Sequence, residues 1–171
     1  LNELETVATA AADVLVAALR AGKKVLTFGN GGSSAEASHL AEELVGRYRK
    51  TRRPFPAISL SADSGTVTCI SNDFGYEALF ERQIEAFAQA GDVVVALTTS
   101  GKSENVVRGL RAARERGSVT IALTGEAGLV PTADADHVVA VPSGDSAHIQ
   151  EVHLMLIHFW CAAVDDALGD G

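Results

Sequence analysis

The chain has little of what would tie it to an oxidising compartment, a polyanion or a bilayer. It contains only two cysteines, Cys69 and Cys161. So few, so far apart, make neither a disulfide framework nor a zinc motif, and a reducing, cytoplasmic setting is expected. Basic residues are in deficit, 14 Lys and Arg against 22 Asp and Glu, for a formal net charge of −8. That balance argues against nucleic acid or an anionic membrane as the main partner, since either calls for a basic face. No signal peptide is evident, and no apolar run has membrane-spanning length; the most apolar segment, near the C-terminus, is interrupted by His153, His158 and Asp165. Internal repeats and low-complexity segments are lacking too. The chain starts at Leu1 without a methionine, inside a helical pattern, so part of the natural N-terminus is expected to be missing.

What is present is a large apolar fraction, 47% of 171 residues, ample for the core of one domain spanning residues 1–171 with an N-terminal helix. Residues 3 to 21 carry Ala, Leu and Val at helical spacing. Strand-like runs follow at Lys24–Phe28, Ala57–Leu60, Val93–Thr98, Val119–Leu123 and Val138–Val141. Helical patterns occupy Ser34 to Tyr48, Tyr76 to Gln89, Ser103 to Arg116 and Ser146 to Leu168. The strands are continuously apolar rather than alternating, which predicts a parallel sheet covered on both faces. The expected fold is α/β, a doubly wound five-stranded sheet of flavodoxin-like order, with ligands at the carboxyl ends of the strands near the switch point. Arg47 to Pro56 reads as a basic, exposed loop.

Two loops then attract attention. Gly29-Asn30-Gly31-Gly32-Ser33-Ser34 follows the first strand and opens a helix, where free backbone N–H groups favour an anion. It is no dinucleotide fingerprint, because Ser34 stands in place of the third glycine, and it lacks the Gly-Lys-Ser/Thr ending of a Walker loop. A Gly-Gly turn of this kind also serves as an ordinary strand-to-helix connection. The second loop, Thr98-Thr99-Ser100-Gly101-Lys102-Ser103, brings four hydroxyls and a helix N-terminus together. Such hydroxyls donate to phosphate oxygens, although Ser103 fits a simple N-cap equally well.

The titratable candidates lie on two helices. His39 and Glu43 are four residues apart and share one helix face, a spacing suited to a metal ion or a reacting carbon with its oxygen, and equally common on a solvated face. Glu42 lies about 100° round the helix from Glu43, so both are not expected to face one site. On the last helix, His148, Gln150, Glu151, His153 and His158 sit among apolar residues. Gln150 and His158 are about 12 Å apart along the axis and some 80° round it, so sharing one ion requires leaning side chains or different subunits. Asn72-Asp73-Phe74-Gly75-Tyr76 reads as a turn between helices whose Asx side chains either cap the next helix or meet sugar hydroxyls.

Taken together, GNGGSSAEASHLAEELVGRYR, PAISLSADS, NDFGYEALFERQIEAFAQAGDVV, TTSGKSENVVRGLRAARERG, ALTGEAG and IQEVHLMLIH resemble the sugar isomerase (SIS) family, in order, from about Lys23 to Val164. The resemblance implies an aldose–ketose isomerase that converts D-sedoheptulose 7-phosphate to D-glycero-D-manno-heptose 7-phosphate through an enediol, for heptose biosynthesis. It implies a homotetramer with active sites between subunits. Asn30, Gly31 and Gly32 match a substrate loop, Asn72 and Asp73 a second substrate-contacting pair, and Thr98, Thr99, Ser100 and Ser103 the phosphate loop. Glu43 and His158 match the catalytic base and acid, with Gln150 also at the substrate. His39, Glu43, Gln150 and His158 match a zinc site seen in some members. Arg47 matches a family arginine; Val45 stands where a threonine is usual, Thr98 where serine is usual and Lys102 where asparagine is usual. The alternatives are a non-catalytic SIS phosphosugar-binding module and an isomerase of another phosphosugar. The presence of both Glu43 and His158 weighs against the first.

Overall fold

The structure is a computed structural model and describes residues 2–130 and 134–169. Helix α1 (Asn2–Arg20) leads into β1 (Val25–Gly29), α2 (Gly32–Val45), β2 (Ala57–Ser59) and α3 (Ser64–Phe74). A 3-10 turn, Tyr76–Ala78, runs into α4 (Leu79–Phe87), followed by β3 (Val93–Thr98), α5 (Glu104–Glu115), β4 (Val119–Thr124), β5 (His137–Ala140) and α6 (Ser146–Leu168). The strands form one all-parallel sheet of order β2-β1-β3-β4-β5. This is the five-stranded, doubly wound arrangement that the apolar strands predict.

The alternation of side chains along each strand divides the core in two. Val25, Val93, Val95, Leu97, Ile121, Leu123 and Val139 pack under α1, α2 and α6 with Leu15, Leu40, Leu44, Ile157 and Trp160. Leu26, Phe28, Val94, Ala96 and Ala122 pack on the opposite side with α4 and α5. Phe28 stacks on Phe80 with ring centroids 4.6 Å apart, in the space left by Gly109, where a Cβ would lie 2.8 Å from the Phe28 ring.

Three local expectations change. Helix α3 is absent from the sequence reading, because Thr66, Val67 and Thr68 are weak helix formers and the helix buries little beyond Ile70. Its start is nevertheless marked by Asp63, whose carboxylate accepts from the N–H groups of Gly65 and Thr66. Consequently Asn72 and Asp73 lie in a helical last turn rather than in a turn between helices. Helix α2 ends at Val45, three residues earlier than expected. The loop after it is not simply exposed: Phe55 is 1% exposed and the Arg52 side chain is fully buried.

Candidate active site

The reversal of strand order falls between β1 and β3, so the loops that leave these two strands stand side by side at the sheet's carboxyl edge. Gly31 adopts φ +56°, and Gly32 packs so closely on α6 that a Cβ there would lie 2.5 Å from the Gln150 amide. Asn30 is bolted across the gap. Its Oδ1 accepts from Tyr76 Oη at 2.7 Å and from Asn105 Nδ2 at 2.9 Å, and its Nδ2 donates to Asn105 Oδ1 at 2.9 Å.

In the second loop Gly101, at φ +68°, passes against the carbonyl of Gly128, which a Cβ would overlap at 1.8 Å. Thr98 Oγ1 accepts from the Gly101 N–H and lies 3.4 Å from Ser103 Oγ; the Ser146 hydroxyl donates to Thr99 Oγ1 at 3.4 Å. Ser103 occupies the N-cap position of α5, yet its side chain makes no capping bond. Its hydroxyl therefore faces the cavity lined by Asn30, Ser33, Leu97, Thr98, Thr99, Ser103 and Gln150. That lining is uncharged. An anion there would be held by hydroxyls, amides and the α5 helix terminus.

The titratable cluster is built between α2 and α6 of a single chain. His39 Nε2 lies 3.1 Å from His158 Nε2 and 3.6 Å from Glu43 Oε1. One ligand-type atom from each of the three falls within 4.8 Å of the others, and all three residues are half-buried. Glu42 is on a different face from Glu43, as helix geometry requires, but it is part of the arrangement. Its carboxylate accepts from His39 Nδ1 at 2.8 Å, which orients the ring with Nε2 toward the cluster. Tyr48 stacks on the other side of His158, with centroids 5.5 Å apart and planes at 22°. Two imidazole nitrogens and a carboxylate so disposed suit either a divalent cation or proton transfer at adjacent carbons.

The remaining sequence candidates divide. Gln150 joins the cavity wall rather than contacting His158, while Ser100 Oγ accepts from the Lys102 N–H at 3.3 Å. Asn72 and Asp73 are exposed at the end of α3, where Asn72 Nδ2 donates to Asp73 Oδ1 at 2.7 Å, and neither lines the cavity. Arg47 is exposed.

Sequence reasoning missed Asn105, Tyr48 and a buried pair behind the cavity. His153, fully buried, donates from Nε2 to the Thr124 carbonyl at 3.2 Å, and its Nδ1 lies 3.9 Å from Glu36 Oε2. Neither of these facing atoms has a hydrogen-bond partner. Burial pushes the Glu36 carboxyl up to about 7 and lowers the His153 imidazole, the latter opposed by its bond to Thr124. Nothing in the spacing of Glu36 and His153, which lie more than a hundred residues apart, signals their pairing or burial. Cys161 is raised to about 12 by burial and by the nearby Glu43 and Asp165 carboxylates, partly offset by Arg52, which leaves the thiol inert.

Comparison with known proteins agrees with this geometry. The SIS domain profile matches residues 2–125. The phosphoheptose isomerase of Aquifex aeolicus is 49% identical over 155 residues, covering 91% of this chain and 81% of that protein. Among solved structures, a phosphoheptose isomerase from Francisella tularensis superposes with a TM-score of 0.90 at 34% identity, over 94% of this chain and 86% of that one. The phosphoheptose isomerase of Neisseria gonorrhoeae gives 0.87 at 37% identity, over 96% and 90%.

Proposed function

From a chain that belongs to the SIS-domain family and, within it, to the phosphoheptose isomerases, we propose the activity that the site's chemistry serves: conversion of D-sedoheptulose 7-phosphate to D-glycero-D-manno-heptose 7-phosphate for heptose biosynthesis. The observation that carries this reading is the convergence of His39, Glu43 and His158 in a chain that also forms an uncharged, hydroxyl-lined cavity at the N-terminus of α5. The phosphate docks on Thr98, Thr99, Ser100, Ser103 and the first amides of α5. Asn30, Gly31 and Gly32 shape the wall against the sugar, with Gln150 opposite; for Asn72 and Asp73, which stand outside this cavity, the family resemblance alone supports contact with the sugar hydroxyls. Holding the remote phosphate orients the reactive end, so binding energy is used for position.

Glu43 takes the proton from C1 of the open-chain ketose to give an enediol and returns it to C2. His158 passes the hydroxyl proton between O1 and O2, so the carbonyl moves to C1 with atoms conserved. The donor set fits a metal: two imidazoles and a half-buried carboxylate converge, with Glu42 orienting His39 from behind. His39, Glu43 and His158 would hold zinc, with Gln150, which packs on Gly32 in its own chain, joining from a different subunit; the ion would supply Lewis acidity toward the sugar oxygens in a state distinct from the one in which Glu43 and His158 carry protons.

Among the described residues no helix is long and apolar enough to cross a membrane. We place the protein in the cytoplasm, a setting that suits its two free cysteines, and read it as one SIS unit that assembles as a homotetramer. Exposed Leu154, Met155 and Phe159 on α6, beside the groove formed with Leu4 and Ala8 of α1, support such contacts. The deciding experiment incubates the purified protein with sedoheptulose 7-phosphate, with and without a chelator, and follows aldose formation. Product that falls on chelation and returns with zinc is expected. Phosphosugar binding without product would replace the isomerase with a binding module.

A further inference from the structure

Helices α2 and α6 meet at the cluster, and something must hold them in register where α2 stops. The Arg52 side chain is completely buried, a costly position for a guanidinium unless every donor is used. Its Nη2 donates to the carbonyl of Glu43 at 2.8 Å in the last turn of α2, and its Nη1 to those of Leu44 at 3.0 Å and Arg53 at 3.2 Å, the Leu44 carbonyl also accepting from the Phe55 N–H. Its Nε donates to Asp165 Oδ1 at 2.7 Å. The other Asp165 oxygen accepts from the N–H groups of Arg49 and Lys50, both at 2.9 Å. Burial alone would raise the Asp165 carboxyl, but the Lys50 and Arg49 amides and Arg52 outweigh it and hold the group below its usual value.

The consequence is geometric. Asp165 lies seven residues beyond His158, two turns along the same face of α6. Arg52 grips α2 at the main chain of Glu43 itself, and the Arg49 amide held by Asp165 immediately follows Tyr48, whose ring covers His158. A closed circuit therefore runs from Glu43 through Arg52 and Asp165 to α6 and His158, with Tyr48 as its lid.

We propose that Arg52 and Asp165 are positioning residues that set the separation of Glu43 from His158 and seat Tyr48 on the His158 ring. The catalytic part of this proposal rests on the isomerase reading; the geometric part does not. Lysine at position 52 lacks the planar fork that reaches the four acceptors of Arg52, so Arg52→Lys releases the circuit without removing the charge. Arg52→Lys and Asp165→Asn are each expected to lower kcat tenfold or more while KM for the phosphosugar stays within about threefold, because the hydrogen bonds of both residues run to each other, the end of α2 and the loop after it rather than to the proposed phosphate loop. Asp136→Asn weakens the bonds that Thr120 makes at the opposite end of the sheet and serves as the stability control, lowering Tm with kcat unchanged.

The second readout is NMR of the histidine rings in labelled protein, with Tyr48→Leu marking the shift of His158 that follows loss of the stacked ring. Arg52→Lys and Asp165→Asn are expected to move the His158 signals toward that position and leave those of His153 in place. If Arg52→Lys fails to fold, the apolar pair Arg52→Met with Asp165→Leu preserves volume and should show the same two changes. Unchanged kcat and unchanged His158 signals with only a lowered Tm would overturn the proposal. Moved signals in a protein that turns over no sugar would uphold the positioning and reject the isomerase reading instead.

Discussion

The two faces of the sheet are covered by helices of different character. Under α4 and α5 the core is packed by aliphatic residues and the Phe28–Phe80 stack. Its buried amides are satisfied: Gln83 donates to the carbonyls of Leu60 and Leu79, and Asn105 pairs with Asn30. Under α2 and α6 the apolar core is just as complete, yet it also admits Glu36, His153, Arg52 and Asp165 around the His39, Glu43 and His158 cluster. Burying ionisable groups carries a stability cost that apolar side chains would avoid, and proteins tolerate it where position or proton affinity matters. On the proposed reading, one face supplies a floor and a helix terminus for the anion, and the other supplies acid, base and candidate metal ligands.

This division can be tested by separating chemistry from binding. The largest effect is expected on the α2/α6 side, where Glu43→Gln or His158→Ala should reduce kcat by about 10²–10⁴ while phosphosugar binding, read by calorimetry, persists. Retained turnover in both variants would remove the proton-transfer assignment. A smaller effect, of the other kind, is expected across the cavity. Ser103→Ala deletes one hydroxyl donor to a charged group, worth about 1.5–3 kcal/mol, and should raise KM about 10–100-fold with little change in kcat. A fall in kcat at constant KM would place Ser103 with the reacting atoms instead of the phosphate.

The smallest effect concerns the buried pair behind the cavity. The Glu36 carboxyl titrates at about 7 in the folded chain, raised by burial from about 4.5. The folded state therefore binds the proton more tightly, and the stability Glu36 contributes is full below about pH 4.5 and lost as pH rises through about 7. The lowered His153 value works in the opposite sense, since stability falls when its imidazole must be charged. Glu36→Gln should abolish the decline between pH 5 and 8 in urea midpoints and leave the rise due to His153. A decline that persists would assign it to another group and reject the raised affinity of Glu36 for its proton as its cause.

Much of this was legible before folding. Continuous apolar strands separated by helical spacing led to the parallel sheet, since a strand covered on both faces has no polar alternation. The glycine and hydroxyl loops were legible because each needs a distinctive residue: positive φ at Gly31 and Gly101, donors at Thr98 to Ser103. Helix α3 was not, because its residues favour other conformations and only packing with a capping Asp63 holds it. Nor was Glu42, whose helical angle removes it from the Glu43 face but not from the far nitrogen of His39.

By itself, then, the sequence determined the fold class, the two loops and the residue types able to do the chemistry, because these follow from local spacing and backbone preference. Tertiary structure alone decided which groups meet. His39 and Glu43 are separated from His158 by more than a hundred residues, as Arg52 is from Asp165. Spacing along a chain carries no information about contacts across two helices, which are set by how α2 and α6 pack on one face of the sheet.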